Sequence, residues 1–486
     1  MANTDLQLIN NVVDYSANIT ALIESEELDF TTHPLDEKVI SLIRDFQSLD
    51  EHNEFAIFKK VDNIKILWRL LIEKSIVCLR FYDTREPFID TRAKTPHAYG
   101  VEELADYFDK YTEFESLLYG GSRFYRDHVV HVFRVWLLGI QLLLENDCNY
   151  LKRIKIADDC EVNCLEKLSV WTMMALTHDL GYPLQKALAI IEKTQGMMKS
   201  FIVNPILSID LSCNGVQNSM NDFVLRFIGS KMHRTDIENV FVARLQPKYY
   251  FKLQKSLEHN AHGVLSALII YKMLTFFLES DFSINEDYKF NDKDVRQFYI
   301  RREILRAIAS HTCHDIYQLN IFSFSFLLIL CDDAQEWGRK SIADLYIEKV
   351  DTYKFDGIQN IFNDAGNNTC TLKDKYVVEK TASIDDILRR FEKQSKTYRD
   401  VFRDGQETNN RNFNFVRQIE IDVTKLSPNK NYILKLLVQK DEQTKIVAKR
   451  TNDDVLSEKE EFFKALKFTF GEVKFSEDHR EAVIVL

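Results

Sequence analysis

Five short segments of the sequence concentrate side chains that bind metal ions. Each combines histidines or aspartates with the apolar spacing of a helix. In chain order the segments are RDHVVHVFRVW with His128 and His131, ALTHDLGYPLQK with His178 and Asp179, LEHNAHGVLSAL with His259 and His262, IASHTCHDI with His311, His314 and Asp315, and LLILCDDAQEWGR with Asp332 and Asp333. Imidazole and carboxylate ligands together suit Mn²⁺, Fe²⁺, Co²⁺, Ni²⁺ or Zn²⁺. The segments therefore predict a divalent metal site.

The spacing within the segments indicates how the ligands are presented. The two histidines of the first segment are three residues apart, as are those of the third, and this spacing places both imidazoles on one helix face. His178 and Asp179 are adjacent, and adjacent side chains diverge by about 100° on a helix. A metal that touches both therefore lies at a helix end or turn, and Gly181 and Pro183 supply such a break.

The fifth segment favours a bound cation by itself. Asp332 and Asp333 follow the apolar run Phe322–Cys331, which is typical of a buried helix. Burial of an unpaired carboxylate costs several kcal/mol, so buried acids pair with a cation or bind a metal. A single histidine on an apolar helix is usually an ordinary core residue, and five histidines receive that interpretation: His33, His52, His97, His233 and His479. The ordered series of His and Asp over about 200 residues favours a metal site instead.

The composition favours a helical protein that is soluble in the cytoplasm. Only 14 Gly and 7 Pro occur among 486 residues, which disfavours a hairpin-rich fold and favours long helices. The net charge of −11 argues against nucleic-acid binding. The eight cysteines are scattered, which indicates reduced thiols. The most apolar stretches, Val264–Leu278 and Ile321–Cys331, fall short of the ~20 residues that cross a bilayer and predict buried core helices.

The pattern along the chain predicts a mainly α fold with a smaller C-terminal α+β part. We expect an N-terminal helical region at 1–115, a helical core at 116–345 and the α+β domain at 346–486. Alternation and turn residues predict the C-terminal elements. The expected strands are Tyr346–Phe355, Thr369–Val378, Phe413–Val423, Tyr432–Gln439 and Glu481–Leu486, and the expected helices are Ser383–Phe402 and Ser457–Phe468.

The series His131, His178-Asp179, His311 and Asp332 resembles the H…HD…H…D signature of the HD superfamily of metal-dependent phosphohydrolases. The segments THDLGYP, AHGVLSAL and CDDAQEWGR are most similar to a bacterial branch that is related to the deoxynucleotide triphosphohydrolases. The similarity covers residues 120–340, about half of the chain. It implies a multi-helical HD-domain core, and no motif covers the N-terminal helices or the C-terminal part.

The resemblance also implies the metal ligands. They are His131, His178, Asp179, His311 and Asp332, and they would hold one or two ions of Mn, Fe, Mg, Co or Zn. Asp179 would bridge two ions, and His262 or His259 would add an imidazole. Which histidine of each pair is the ligand stays open; the pairs are His128 or His131, His259 or His262, and His311 or His314. Asp332 is preferred over Asp333 because the following Gln335-Glu336-Trp337 fixes the register of the motif.

Further residues are candidates for catalysis and substrate binding. The catalytic candidates are His128, His259, His262 and His314. Three of them, His128, His259 and His314, are candidates to protonate a leaving group. Arg126, Lys186 and Arg339 lie near the motifs and can anchor phosphate. Tyr182 stands where triphosphohydrolases usually carry a histidine, and we expect it to contact substrate.

The resemblance implies hydrolysis of a phosphoester or phosphoanhydride bond in a nucleotide. We place a deoxynucleoside triphosphate ahead of a cyclic nucleotide or a dinucleotide as the substrate. Three alternative functions stay open: a phosphodiesterase that acts on a cyclic nucleotide or a dinucleotide, a diiron oxygenase, and a non-catalytic nucleotide sensor. The superfamily's nucleotide hydrolases often assemble, so we expect a homo-oligomer.

Overall fold

The computed structural model describes most of the chain, and every structural statement below concerns the described residues. These are residues 4–28, 32–48, 61–84, 100–121, 127–157, 160–200, 216–235, 240–274, 277, 288–313, 315, 320–335, 337, 353–359, 369–378, 382–401, 414–424, 426, 430–438 and 443–486. The predicted domain boundary near residue 345 lies outside them, as do Arg126, His314 and Arg339.

The described residues before 338 are mainly helical. The helices are α1 (Thr4–Ser25), α2 (Glu37–Arg44), α3 (Val61–Thr84), α4 (Val101–Gly121), α5 (Val129–Arg153), α6 (Cys164–Thr177), α7 (Tyr182–Lys199), α8 (Val216–Gly229), α9 (Pro247–Glu258), α10 (His262–Met273), α11 (Asp292–Ser310) and α12 (Phe324–Ala334). The expected mainly α class is confirmed. The two most apolar stretches form α10 and α12, which are largely buried as predicted. The expected boundary between residues 115 and 116 falls inside α4.

Helix α6 lies at the centre of the helical part. All of its residues except Lys167 are buried, and it packs against α3, α5 and α11. Asn163 caps its start, because the Asn163 side chain accepts from the Glu166 backbone N–H while the Glu166 carboxylate accepts from the Asn163 backbone N–H. The apolar packing on all sides fixes the point where α6 ends, and the next residues are His178 and Asp179.

One prediction for the helical region is wrong. Residues 116–345 were expected to be helical throughout, but β1 (Ser230–Arg234) and β2 (Phe241–Leu245) form an antiparallel hairpin between α8 and α9. Each strand has only five residues, and none of its exposed positions is β-branched. The alternation is therefore too short to distinguish these strands from helix ends.

The C-terminal part is a seven-stranded mixed sheet with two helices. Its strands are β3 (Tyr353–Gln359), β4 (Thr369–Val378), β5 (Asn414–Asp422), β6 (Asn431–Val438), β7 (Lys445–Arg450), β8 (Lys474–Phe475) and β9 (Glu481–Val485), in the order β3-β4-β5-β6-β7-β9-β8. Only β4 and β5 are parallel within the described sheet, and α13 (Ala382–Val401) connects them. Helix α14 (Glu461–Phe470) packs against α13. Alternate residues of β5 and β6 are buried.

The predicted C-terminal elements are confirmed to within a few residues, with two omissions. β4 has the expected bounds, whereas α14 begins four residues later than predicted. The predicted strand at 346–355 is described only from Tyr353 onward. β7 and β8 were not expected: β7 places three apolar residues between charged ones, and β8 is two residues long. Such short segments carry little periodic signal.

The sheet contacts the helical part through buried side chains. The ring of Phe415 on β5 meets Phe326 of α12 edge to face, with 6.0 Å between centroids. Close by, the guanidinium of Arg417 forms an ion pair with Asp374, and both side chains are fully buried. Burial opposes the charge on Arg417, but the negative charge of Asp374 outweighs that effect and raises the pKa of Arg417.

Among the described helices, none is by itself both long and apolar enough to cross a membrane. Only the two segments of α5, 129–145 and 147–153, reach that length and apolarity together, and they meet at a bend of 104°. The bend coincides with positive φ angles at Asp147 and Cys148.

We predict that Arg417→Ala strongly destabilises the C-terminal sheet. The substitution leaves the Asp374 carboxylate buried without its cation, and such losses cost about 3–5 kcal/mol. Arg389→Ala is the matched control, because its ion pair with Asp386 is exposed and is worth about 0.2–1 kcal/mol. Urea unfolding of the two variants measures the difference. Equal losses of stability would contradict the prediction.

Candidate metal centre

Six side chains from five places in the helical part meet at one point. They come from the start of α5, the turn after α6, the start of α10, the residue that caps α11 and the end of α12, and they are His131, His178, Asp179, His262, His311 and Asp332. The prediction that the His178-Asp179 pair lies at a helix end is confirmed. All six are therefore placed by helix termini, where a side chain can leave the packed surface of its own helix.

The first group of ligand atoms surrounds one oxygen of Asp179. The Nε2 atom of His131 lies 2.9 Å from Asp332 Oδ1 and 3.7 Å from Asp179 Oδ2. The Nε2 atom of His178 lies 3.6 Å from Asp179 Oδ2 and 3.8 Å from Asp332 Oδ1. Two imidazole nitrogens and two carboxylate oxygens thus face each other.

The second group surrounds the other oxygen of the same carboxylate. His262 Nε2 lies 3.1 Å from Asp179 Oδ1, and His311 Nε2 lies 3.7 Å from it. The two imidazole nitrogens are 3.2 Å apart. Asp179 therefore directs one oxygen to each group, which is the arrangement of a carboxylate between two cation positions.

In two histidines, the ring nitrogen that faces away from the cluster, Nδ1, is held by a backbone carbonyl. His178 Nδ1 is 2.9 Å from the Ala175 oxygen, and His311 Nδ1 is 2.5 Å from the Ile308 oxygen. A carbonyl oxygen only accepts, so each Nδ1 carries the hydrogen and donates it. In the neutral ring, Nε2 then presents its lone pair to the centre of the cluster.

The other two histidines use glutamine side chains in the same way. His131 Nδ1 is 2.5 Å from Gln335 Oε1, and the Gln335 amide is oriented because its nitrogen donates to the Trp337 carbonyl at 2.7 Å. His262 Nδ1 is 2.7 Å from Gln185 Oε1. In the sequence, Gln335 serves only to fix the register of a motif, and no pattern singles out Gln185. A glutamine carries no spacing signal, so only the folded structure shows these partners.

The arrangement fits a metal ion. His178 Nε2 is fully buried and has no hydrogen-bond partner among the described residues. A buried ring nitrogen without a hydrogen-bond partner is costly, and coordination of its neutral form to a cation would satisfy it. Two sets of ligand atoms lie within 4.8 Å of one another, namely His131, His178 and Asp332, and His178, Asp179 and His311. These buried groups can hold a metal ion.

Two glycines let α10 approach the other ligand segments. A Cβ on Gly181 would lie 2.4 Å from the His262 carbonyl oxygen, and one on Gly263 would lie 2.6 Å from the Ile308 oxygen. The Gly181 N–H also donates to the Ser266 hydroxyl of α10 at 2.7 Å. Larger residues would push His262 away from Asp179 and His311, since the nearest atom to each added Cβ is a backbone oxygen, which cannot turn aside as the end of a flexible side chain can.

The charges in the cluster stabilise each other. Burial by itself lowers the pKa of His178, but the negative charges of Asp179 and Asp332 outweigh it and raise the pKa to about 9. Burial tends to raise the pKa of both carboxyl groups, whereas the imidazoles around them hold the pKa of each well below its usual range. Burial lowers the pKa of His311. Without a metal, protonated imidazole is therefore the cation of the cluster.

Where both histidines of an alternative pair are described, the structure shows which of the two lies in the cluster. His128 does not point into the cluster; its ring stacks on Tyr182 at 3.7 Å between centroids, and its backbone N–H donates to Glu115. His259 is exposed at the end of α9, and His262 takes the position beside Asp179. His311 lies in the cluster, while its alternative, His314, is outside the described residues.

The substrate-binding candidates are only partly described. Lys186 is half-buried, with its Nζ 4.8 Å from the ring centroid of Tyr182. Tyr182 in turn lies 5.3 Å from His262, centroid to centroid. Both residues are therefore next to the cluster, whereas Arg126 and Arg339 lie outside the described residues.

Comparisons of the chain with protein-family models, with curated proteins and with solved structures found no match. The chemistry of the cluster is therefore inferred from its geometry and from the ordered motif in the sequence.

We predict that His262→Ala removes metal from the second group, whereas His259→Ala does not. Of these two histidines, which are three residues apart in the same segment, only His262 places a nitrogen next to Asp179. Titration of metal-free protein with Mn²⁺, followed by electron paramagnetic resonance, counts the bound ions. We expect fewer or weaker sites in His262→Ala alone. Equal binding by both variants would rule out this ligand assignment.

We predict opposite pH trends for the metal-free and the Mn²⁺-loaded protein. The pKa of His178 is about 9 in the fold against 6.5 in an unfolded chain, so its stabilising contribution is complete below pH 6.5 and is lost as the pH rises through 9. The melting temperature of chelator-treated protein should fall over that interval. With Mn²⁺ it should rise, because bound imidazoles must be neutral. Thermal melts at pH 6.5 to 9 test this, and parallel trends would contradict it.

Proposed function

We propose that the protein is a metal-dependent phosphohydrolase of the HD superfamily that acts on a nucleotide, and that a deoxynucleoside triphosphate is its substrate. The observation that carries the proposal is the Asp179 carboxylate, which directs its two oxygens to two groups of imidazole nitrogens. This geometry agrees with the ordered H…HD…H…D series and with a bridging role for the aspartate.

The ligands divide between two cation positions in the proposal. His131, His178, Asp179 and Asp332 would hold the first ion, and His262, His311 and Asp179 would hold the second. A divalent ion bound there would lower the pKa of a water ligand toward neutrality and would offset negative charge on phosphoryl oxygens.

The protein's own groups prepare the site for that chemistry. The contacts at Nδ1 keep the four imidazoles in the tautomer that offers Nε2 inward, so no ring has to turn when a ligand binds. The low pKa values of Asp179 and Asp332 mean that both carboxylates are already ionised at neutral pH. Binding of the metal therefore displaces protons from imidazole rather than from the acids.

The side of the cluster next to α7 is the proposed place for the substrate phosphates. Lys186 has no carboxylate partner among the described residues, and burial, with a smaller effect from Lys193, lowers its pKa. An ammonium group in such a position gains by contact with an anion. Tyr182 packs between this lysine and His128, so His128 is within the same region and is the described candidate for protonating a leaving oxygen.

Incubation with Mn²⁺ and a panel of nucleotides tests the proposal. The panel contains deoxynucleoside and ribonucleoside triphosphates, cyclic nucleotides and dinucleotides. We expect tripolyphosphate and the deoxynucleoside as products, because water would attack the phosphorus next to the sugar and the bond from that phosphorus to the sugar oxygen would break, with a proton passing to that oxygen. His178→Ala should reduce turnover to the level seen without metal.

His259→Ala is the control for this experiment, since its imidazole is exposed and outside the cluster. Hydrolysis of a cyclic nucleotide or dinucleotide alone would shift the substrate class. Bound metal without hydrolysis of any nucleotide would refute the proposal, and iron content together with oxygen consumption would favour the oxygenase instead.

A further inference from the structure

The segment 332–337 carries two groups that act on the metal centre. It starts within the last turn of α12, where Asp332 supplies a carboxylate, and it continues to Gln335, whose amide oxygen accepts from His131 Nδ1. The position of this segment therefore determines both a proposed ligand and the orientation of a second one. Its own helix ends at Ala334, so contacts from elsewhere must hold the residues that follow.

The N-terminal helix supplies the first of these contacts. The indole Nε1 of Trp337 donates to Asp5 Oδ1 at 2.6 Å. The same carboxylate accepts two hydrogen bonds from Arg134, at 2.9 Å from Nε and 2.8 Å from Nη2. All three side chains are buried, and Arg134 lies on α5 one turn after His131.

One carboxylate therefore ties together the two elements that must meet at the first group. Asp5 holds α5, which carries His131, and it also holds the segment that carries Asp332. The link to His131 is continued within the segment, because the Trp337 carbonyl accepts from the Gln335 amide, and the Gln335 oxygen contacts the imidazole. A two-point hydrogen bond to arginine also fixes the direction of the carboxylate.

The C-terminal domain supplies the second contact. The side-chain nitrogen of Gln394, on α13, donates to the Asp333 carbonyl oxygen at 2.8 Å. Its side-chain oxygen accepts from the buried Arg417 of β5 at 3.3 Å, which sets the direction of the amide. The carbonyl that Gln394 holds belongs to the residue directly after Asp332.

We propose that the two regions outside the motif-bearing core position the metal centre, and that Asp5, Trp337 and Gln394 are its positioning residues. The inference rests on the proposed metal centre but not on the identity of the substrate. It assigns a role to the N-terminal helix and to the C-terminal sheet, for which the sequence offered no motif. Groups that orient metal ligands typically change metal affinity by about 10–100-fold when they are replaced.

Trp337→Phe is the sharpest test, since it removes the indole N–H and keeps an aromatic ring. We expect the dissociation constant for the tighter Mn²⁺ ion to rise by about tenfold. Trp136→Phe is the matched control, because Trp136 is equally buried and its Nε1 donates to Thr172 Oγ1 at 3.0 Å, away from the 332–337 segment. Its Mn²⁺ affinity should equal that of the unchanged protein.

Gln394→Met tests the contact from the C-terminal domain in the same way. Methionine has nearly the same length, but it cannot donate to the Asp333 carbonyl. We expect weaker Mn²⁺ binding, by several-fold to tenfold. Ser395→Ala is the control, since this buried hydroxyl donates only within its own helix, to the Phe391 carbonyl.

Three measurements on each variant separate positioning from general stability: Mn²⁺ affinity, the visible spectrum of the Co²⁺-loaded protein, and the melting temperature without metal. Positioning predicts a weaker affinity and a changed Co²⁺ spectrum in Trp337→Phe and Gln394→Met but not in the controls. Unchanged affinity and spectrum in the first two variants, with lowered melting temperatures in all four, would overturn the proposal.

The outcome is distinguishable from failure of the proposed function. If the unchanged protein binds Mn²⁺ but hydrolyses no nucleotide, a weaker affinity in Trp337→Phe still supports positioning. If nucleotides are hydrolysed and the variants bind Mn²⁺ normally, only the positioning proposal fails. Absence of Mn²⁺ binding by the unchanged protein would overturn both.

Discussion

The structure depends on the need to neutralise two carboxylates in the interior of a helical protein. Asp179 is 4% exposed, and Asp332, whose side chain is 28% exposed, lies in the last turn of an apolar helix whose residues before it are all buried. Ionised acids in such surroundings are stable only beside positive charge. Four imidazoles provide it, either by binding protons or by sharing a metal ion with the acids. Helix ends, tight glycine contacts and buried hydrogen bonds in the surrounding fold all bring these imidazoles to the acids.

The contacts around the cluster are of two kinds, and they act at different distances. Backbone carbonyls and glutamine oxygens touch the imidazoles themselves and determine which nitrogen faces inward. Asp5 and Gln394 act one step further out, on the segment that carries Asp332. The cluster is thus embedded in a network that extends from the first helix to the C-terminal sheet. The candidate site and the packing of the fold share the same buried residues.

The sequence singled out segments whose histidines and aspartates lie together in the structure, because these residue types are rare in apolar helices. It also predicted the turn at the His178-Asp179 pair and most C-terminal elements, where glycine, proline and alternation give local signals. It could not choose between His259 and His262, since both have the same spacing and only the packing of α10 against α7 and α11 separates them.

Other features of the structure have no local signal at all. The hairpin β1–β2 and the strand β7 are too short for a clear period. The roles of Gln185 and Asp5 depend on partners 77 and 332 residues away in the chain, and such pairs cannot be read from spacing along one element.

The long separation between Asp5 and Trp337 has a consequence for biosynthesis. These partners are 332 residues apart, and ribosomes add about 5–20 residues per second, so the tryptophan is made roughly 20–60 s after the aspartate. Arg134 is available much earlier, and its bond to Asp5 can form while the rest of the chain is still being translated. A nascent chain that stops before this tryptophan lacks part of the network around the first ion. The candidate metal site is therefore complete only when translation of the helical region is complete.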